Sequence, residues 1–246
     1  MLKIDWPVPE NVGIAMTNRH GGLSLPPFDS LNLGTHVGDN IESVLANRKA
    51  LVSALNLPNE PFWLEQVHGI NVIDLSLSDN NVADGIYTNE FGKVCTVMTA
   101  DCLPVLLCDK AGTQVSALHA GWRGLCNGII QTGVSKFTCQ PEELIAYLGP
   151  AIGPEAFEVG KDVQQAFCDV NADASMYFKP KLDKFIADIA GLGVQRLNRL
   201  GVTQVYVSNH CTFNHSDYFS YRRDGVTGRQ ASLIWLQNNN KLNNSN

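Results

Sequence analysis

His68, Cys102 and His119 are the residues of this chain whose types best suit chemistry. Each stands in a short, unusual segment: WLEQVHG, MTADCLPVLL and ALHAGWRGL. Two imidazoles and one thiolate form a borderline-soft ligand set that suits Zn²⁺ or copper. Three protein ligands leave one coordination position open, which distinguishes a catalytic metal site from a structural one. The long intervals between them exclude a zinc finger or a CxxC knuckle. Spacing alone is equally consistent with two hydrogen-bonded histidines and a core thiol. Asp101 adjoins Cys102, and Asp84 lies in the segment ADGIY. Either carboxylate suits a general base or a group that steadies a ligand histidine. His36, in THVGD, is a further polar candidate, and Cys211, in NHCTF, reads as a buried thiol.

Short elements must position these side chains. A strand is expected at Ala15–Thr17. A helix should start near Asp39 or Asn40, carry Ile41, Val44, Leu45, Val52 and Leu55 on one face, and end before Pro58. Val- and Leu-rich runs bounded by Gly, Asp and Asn predict strands at Phe62–Val67, Asn71–Leu75, Val94–Met98, Val105–Cys108 and Val115–His119. One amphipathic helix is expected through Leu125, Ile129, Val134 and Phe137. A strand follows at Leu144–Leu148, then helices at Val159–Val170 and Phe185–Leu200, the last loosened by Gly191 and Gly193. Strands at Val205–Ser208 and Ser232–Leu236 close the pattern. All three ligand candidates fall at element ends, where side chains from different elements can meet. The mixed order predicts an α+β fold: one domain over 1–236 with mixed β-sheets flanked by helices. The Asn-rich end, 237–246, reads as a frayed tail.

Composition narrows the function. The chain has 246 residues, 44% hydrophobic and 17% charged, with a formal charge of −6. That balance argues against nucleic acid as partner, and the scattered Lys and Arg form no membrane-binding run. The opening MLKIDWPVPENVG lacks the pattern of an export signal, and the run Leu103–Cys108 is too short to span a bilayer. A cytoplasmic protein is expected. The seven cysteines are an odd count without repeated spacing, so reduced thiols are expected, with Cys95, Cys108, Cys126, Cys139 and Cys168 as core residues. No heptad pattern argues for an oligomer, so a monomer is expected.

The segments WLEQVHG, TADCLPVLL, HAGWRGL, YLGPAIGPEAFEVG and FSYRRDGVTGR, with SLNLGTHVGDN and ANRKAL nearer the start, together resemble the YfiH family. It is also called the laccase-domain or multicopper polyphenol oxidase-like family. The likeness runs from about Arg19 to Leu236. It implies that His68, Cys102 and His119 bind a metal, zinc by the family's usual assignment, with copper as the other option. It implies phosphorolysis of purine nucleosides (adenosine, inosine, guanosine, methylthioadenosine), with adenosine deamination as a second activity. The partners would then be a small-molecule nucleoside and phosphate. It also implies kinship with the fold of a toxin deamidase built on a Cys–His pair. Phosphorolysis needs a phosphate site, and arginine's planar fork suits one. Arg48, in ANRKAL, is the first candidate, against a plain reading as a surface helix charge. Arg123, four positions after His119, is the second. Arg222, Arg223 and Arg229 could serve, or could tie down the C-terminal segment.

Four rival readings share these residues. A blue-copper centre uses the same ligands, but a multicopper oxidase needs a further histidine-rich cluster. The remaining histidines, His20, His36, His210 and His215, lack the paired HxH spacing for one. A cysteine hydrolase would use Cys102 and His119 but leave His68 idle. A peptidoglycan-precursor editing amidase would keep the metal and change the substrate. A structural metal site would need a fourth ligand, with Cys211 or His210 as the suspects.

Overall fold

The structure is a computed structural model that describes residues 1–3, 5–77 and 80–237. The expected tail therefore lies outside the described residues, Gln237 excepted. In chain order the first half holds β1 (Val12–Met16), α1 (Ile41–Leu55), β2 (Val72–Asp74), β3 (Gly85–Thr88), β4 (Val94–Thr99), β5 (Leu103–Asp109), β6 (Val115–Ala120), α2 (Trp122–Asn127) and α3 (Ile129–Val134). The second half holds β7 (Leu144–Leu148), β8 (Glu158–Val159), α4 (Lys161–Val170), β9 (Phe178–Lys181), β10 (Lys184–Ala187), α5 (Ile189–Arg199), β11 (Gln204–Val207), α6 (Tyr221–Asp224) and β12 (Gln230–Leu236). No helix among the described residues is long and apolar enough to cross a membrane.

Two-residue alternation sorts these strands into layers. Leu103, Val105 and Leu107 of β5 face a core shared with Ile129, Ile130, Phe167 and Leu192 of the helices. Leu106 and Cys108, from the opposite face of β5, pack with Val12, Val97 and Ile234 of a second sheet. That sheet has the antiparallel order β1-β12-β4. Its far face, Ala231, Leu233 and Trp235, packs on Leu51 and the stem of α1. The main sheet has six strands in the order β11-β7-β5-β6-β3-β2. Its outer pairs run parallel and its inner pairs antiparallel. The fold is thus α+β with several mixed sheets.

One edge of the main sheet gathers the chemistry. β6 ends there at His119–Ala120, and β5 starts there just after Cys102, with Leu103 paired to Ala120. β3 starts there just after Asp84, with Gly85 paired to Leu118. β2 starts there after the turn that carries His68, with Val72 paired to Gly85.

Several expectations shift. Phe62–Val67 is not a strand: it makes single bridges at Phe62 and Glu65. The side chain of Gln66 does the pairing instead, with its Nε2 donating to Met98 O at 2.8 Å and its Oε1 accepting from Met98 N at 2.7 Å. The helix expected through Leu125–Phe137 is two helices, broken at Gly128 with φ +110°. Val159 belongs to β8, and α4 begins after Gly160. Phe185 lies in β10, and α5 starts only after the Asp188 cap, whose carboxylate accepts from Gly191 N at 2.8 Å. Gly193 does not loosen α5: a Cβ there would sit 2.7 Å from Leu103 Cδ2, so the missing side chain lets helix and sheet approach. β3 and β9 were not expected.

Helix α1 follows its sequence signals. Asn40 caps it by accepting from Ser43 N, and Asn56 ends it in the left-handed region at φ 47°, two residues before Pro58. Its buried Asn47 staples the loop of residues 23–32. Oδ1 accepts from Leu23 N at 2.7 Å, and Nδ2 lies within 3.1 Å of Ser24 Oγ, Ser30 O and Asn32 O. Each such bond is worth roughly 1 kcal/mol net, and buried groups left unpaired cost more. Asn47→Ala should therefore destabilise the protein by about 3 kcal/mol, measurable by thermal unfolding. A change below about 0.5 kcal/mol would show that the staple is dispensable.

Candidate metal centre and its cavity

His68, Cys102 and His119 converge. One potential ligand atom of each lies within 4.8 Å of the others, and among the described residues no fourth His, Cys, Asp or Glu joins them. Cys102 Sγ stands 3.9 Å from His68 Nε2, and the two imidazole rings meet nearly edge to face at 4.8 Å. Bonds of about 2.0 Å to imidazole and about 2.3 Å to thiolate put tetrahedral ligand atoms roughly 3.5 Å apart. Rotations moving these atoms by roughly an ångström would complete that fit. The donor chemistry and the spread both fit one metal ion. Gly121 leaves the room: a Cβ there would come within 2.9 Å of His68 Cδ2 and 3.2 Å of Cys102 Sγ.

Asp84 holds the cluster from behind. Its fully buried carboxylate accepts from His119 Nδ1 at 2.8 Å and from the backbone N–H groups of Val67, His68 and Gly69 at 3.2, 2.9 and 2.6 Å. Its own carbonyl accepts from His119 N at 2.7 Å. His68 is one of four non-glycine residues with positive φ among the described residues, at 60°, and the Asp84 bonds fix that uncommon turn. Burial pushes the Asp84 carboxyl up, but the His119 and Gly69 hydrogen bonds prevail and hold it below its ordinary value. Burial likewise opposes ionisation of Cys102, yet His119 and His68 bring its thiol down to about 6. His119 is lowered by burial but raised further by Cys102 and Asp84, to about 9. Without metal the site is therefore a thiolate–imidazolium pair at neutral pH.

The cluster lines a cavity of about 350 Å³ together with His36, Gln66, Tyr221 and Arg229. The other expected residues divide. His36 lines the cavity. Asp101 does not offer it a free carboxylate: Oδ1 accepts from Thr212 Oγ1 and Oδ2 from Arg222 N, both at 2.6 Å. This latch, with Asp101 at φ 95°, ties the C-terminal segment beside Cys102. Arg48 lies outside the cavity. Its Nε and Nη2 donate to Leu33 O at 3.0 and 2.8 Å, and its guanidinium lies 4.0 Å over the Trp63 ring. Arg123 is exposed and stacks on its neighbour Trp122. Arg222 and Arg223 bond backbone carbonyls of residues 158 and 212–218, which tie the segment down. Cys211 and His210 line a separate cavity of about 360 Å³, where Cys211 Sγ accepts from Gly153 N at 3.1 Å. All seven cysteines are free; Cys95, Cys108 and Cys126 are buried, Cys139 and Cys168 half-buried. Gln66 and Tyr221 were missed as cavity residues, although both sit inside segments that carried the family resemblance.

Residues 13–237 match the model of a family described as multi-copper polyphenol oxidoreductase laccase. The chain is 54% identical to the Escherichia coli protein named purine nucleoside phosphorylase YfiH, over 94% of this chain and 96% of that one. The chain belongs to the YfiH family. It is also 49% identical to a Haemophilus influenzae protein named purine nucleoside phosphorylase, over 95% of this chain and 98% of that one. A Neisseria meningitidis crystal structure, 48% identical, superposes with a TM-score of 0.92 and covers 96% of this chain and 99% of its own. A Geobacillus stearothermophilus structure at 29% identity reaches 0.86 over 93% of each chain. Despite the family's multi-copper label, no second group of three potential ligands comes together among the described residues. His20 and His215 flank Asp217 instead, and His215 packs against His210.

Two predictions follow from Asp84 and Cys102. Asp84→Asn removes the charge that orients His119, so metal affinity should fall by about 10- to 100-fold in a chelator competition; unchanged affinity would remove the assigned role. In metal-free protein, alkylation of Cys102 should rise through about pH 6, because the lowered thiol ionises earlier than an ordinary one near 8.5. Bound metal should suppress it. Mass spectrometry of the labelled peptide reads both effects.

Proposed function

We propose that this protein is a zinc-dependent purine nucleoside phosphorylase that also deaminates adenosine. The observation that carries the reading is the His68–Cys102–His119 cluster lining a cavity of about 350 Å³, in a chain 54% identical to proteins named purine nucleoside phosphorylase. Its volume falls within the range of small-molecule sites.

A zinc ion held by His68, Cys102 and His119 would supply Lewis-acid polarisation. The chain's own residues do the rest. Asp84 takes the Nδ1 proton of His119 as a hydrogen bond and so presents Nε2 to the cluster. Gln66 fixes the segment before His68 against β4. In phosphorolysis a phosphate oxygen bonds to the ribose anomeric carbon as its bond to the purine nitrogen breaks. The base leaves with that electron pair and takes up one proton, giving ribose 1-phosphate and free purine. In deamination a water oxygen replaces the exocyclic amine, which leaves as ammonia and yields inosine. The close Cys102–His119 pair supports the implied kinship with a Cys–His toxin deamidase. His68, held in a left-handed turn against that pair, favours metal chemistry over a thiol nucleophile.

His68→Ala, Cys102→Ala and His119→Ala should each fold and lose turnover by at least about 100-fold. Purified protein given adenosine with and without phosphate should release adenine only with phosphate, and inosine in both, as followed by chromatography. Folded variants that keep wild-type turnover would sink the reading. Bound metal without purine turnover would hand the site to the peptidoglycan-precursor amide.

A further inference from the structure

Arg229 is the guanidinium that lines the cavity, and the anions nearest it in charge effect, Cys102 and Asp101, make no ion pair with it. Its Nη1 donates to Thr227 O at 3.1 Å and Gly228 O at 3.0 Å, and among the described residues no carboxylate pairs with it. Among the described residues, Nε and Nη2 have no acceptor. The side chain is nonetheless firmly placed. Arg229 N donates to Asn32 Oδ1 at 2.9 Å, which also accepts from Gly34 N at 2.9 Å. Gly34 makes way for the stem: a Cβ there would lie 2.8 Å from Arg229 Cγ. Two residues beyond Gly34, His36 lines the same cavity with no hydrogen-bond partner among the described residues. Burial, then Arg229 and Arg48, keep His36 below its ordinary value.

The carboxylates nearest the cavity are both spent. Asp84 is fully buried behind His119, and Asp101 is committed to Thr212 and Arg222. No Asp or Glu lines the cavity. A partly desolvated guanidinium with a free edge and an unpartnered imidazole, with no carboxylate lining the cavity among the described residues and the Cys102 thiolate taken up by a bound metal, form a receptor for an oxyanion. Arg48, with two nitrogens committed to Leu33 O, does not meet that description.

We propose that Arg229 and His36 form the seat of inorganic phosphate beside the His68–Cys102–His119 cluster. This rests on the phosphorylase reading for the identity of the anion. Arg48 is then a positioning residue: it clamps the Leu33 carbonyl, and the chain leads from there to His36.

The test is calorimetric titration of metal-loaded protein with inorganic phosphate, alongside KM for phosphate and for adenosine. Arg229→Gln should weaken phosphate binding and raise KM for phosphate by roughly tenfold or more, the usual loss of a charged hydrogen-bonding partner. KM for adenosine should stay within about twofold. Arg229→Lys should recover part of the loss, and His36→Gln should cost roughly threefold. If Arg229→Gln fails to fold, Arg229→Lys and His36→Gln carry the test. Phosphate binding at wild-type strength in these variants overturns the seat, as does equal loss for adenosine and phosphate, or a wild-type protein that binds no phosphate. Arg229-dependent phosphate binding without adenine release would keep the seat and remove the phosphorylase reading.

Discussion

A single buried carboxylate organises this molecule's chemistry. Asp84 sits at zero exposure and would be costly as an isolated charge, by several kcal/mol. Four donors meet it: the His119 ring and the backbone N–H groups of residues 67, 68 and 69. Charge-assisted bonds are worth about 1.5–3 kcal/mol each, so together they offset that burial. The same bonds hold the His68 turn in a conformation that L-residues seldom adopt. One interaction thus sets the direction of one ligand ring and the backbone of the other. The sheet supplies the third ligand, because the β5–β6 register brings Cys102 to the edge where His119 ends its strand.

The cavity takes its electrical character from where the carboxylates went. Asp84 lies behind the cluster and Asp101 lies beside it, occupied by Thr212 and Arg222. What faces the cavity is imidazole, the Cys102 sulfur, amide, phenol and guanidinium, with Met98, Thr99 and Ala100 of and beside β4. Such a surface suits an anion and a polarisable leaving group better than a proton relay between acids. It also separates the two arginines that sequence alone could not separate. Arg48 gives Nε and Nη2 to Leu33 O, while Arg229, in the cavity lining, gives only Nη1 to backbone carbonyls.

The meeting of His68, Cys102 and His119 was legible because each sits in a distinctive segment at an element end, with a Gly or a strand boundary beside it. Helix α1 was legible from Asn40, Asn56 and Pro58, whose effects are local. The misread stretches depend on contacts far along the chain. Gln66 replaces backbone pairing with a side-chain ladder to Met98, so residues 62–67 look like a strand without being one. Residues 185–187 read as helix because their partners, β8 and β9, are short and invisible locally. Gly193 reads as a helix breaker until Leu103 is seen against it. The arginine roles were equally hidden, since commitment to Leu33 or exposure to the cavity is a property of the packed fold.

The most direct test is anomalous diffraction at the zinc edge from crystals of zinc-loaded protein. The account predicts one strong peak among Cys102 Sγ and a ring nitrogen of His68 and of His119. Asp84 should remain hydrogen-bonded to His119 Nδ1, and no fourth protein side chain should reach the ion. A peak elsewhere, or a coordination sphere closed by Asp84, Cys211 or His210, would contradict it.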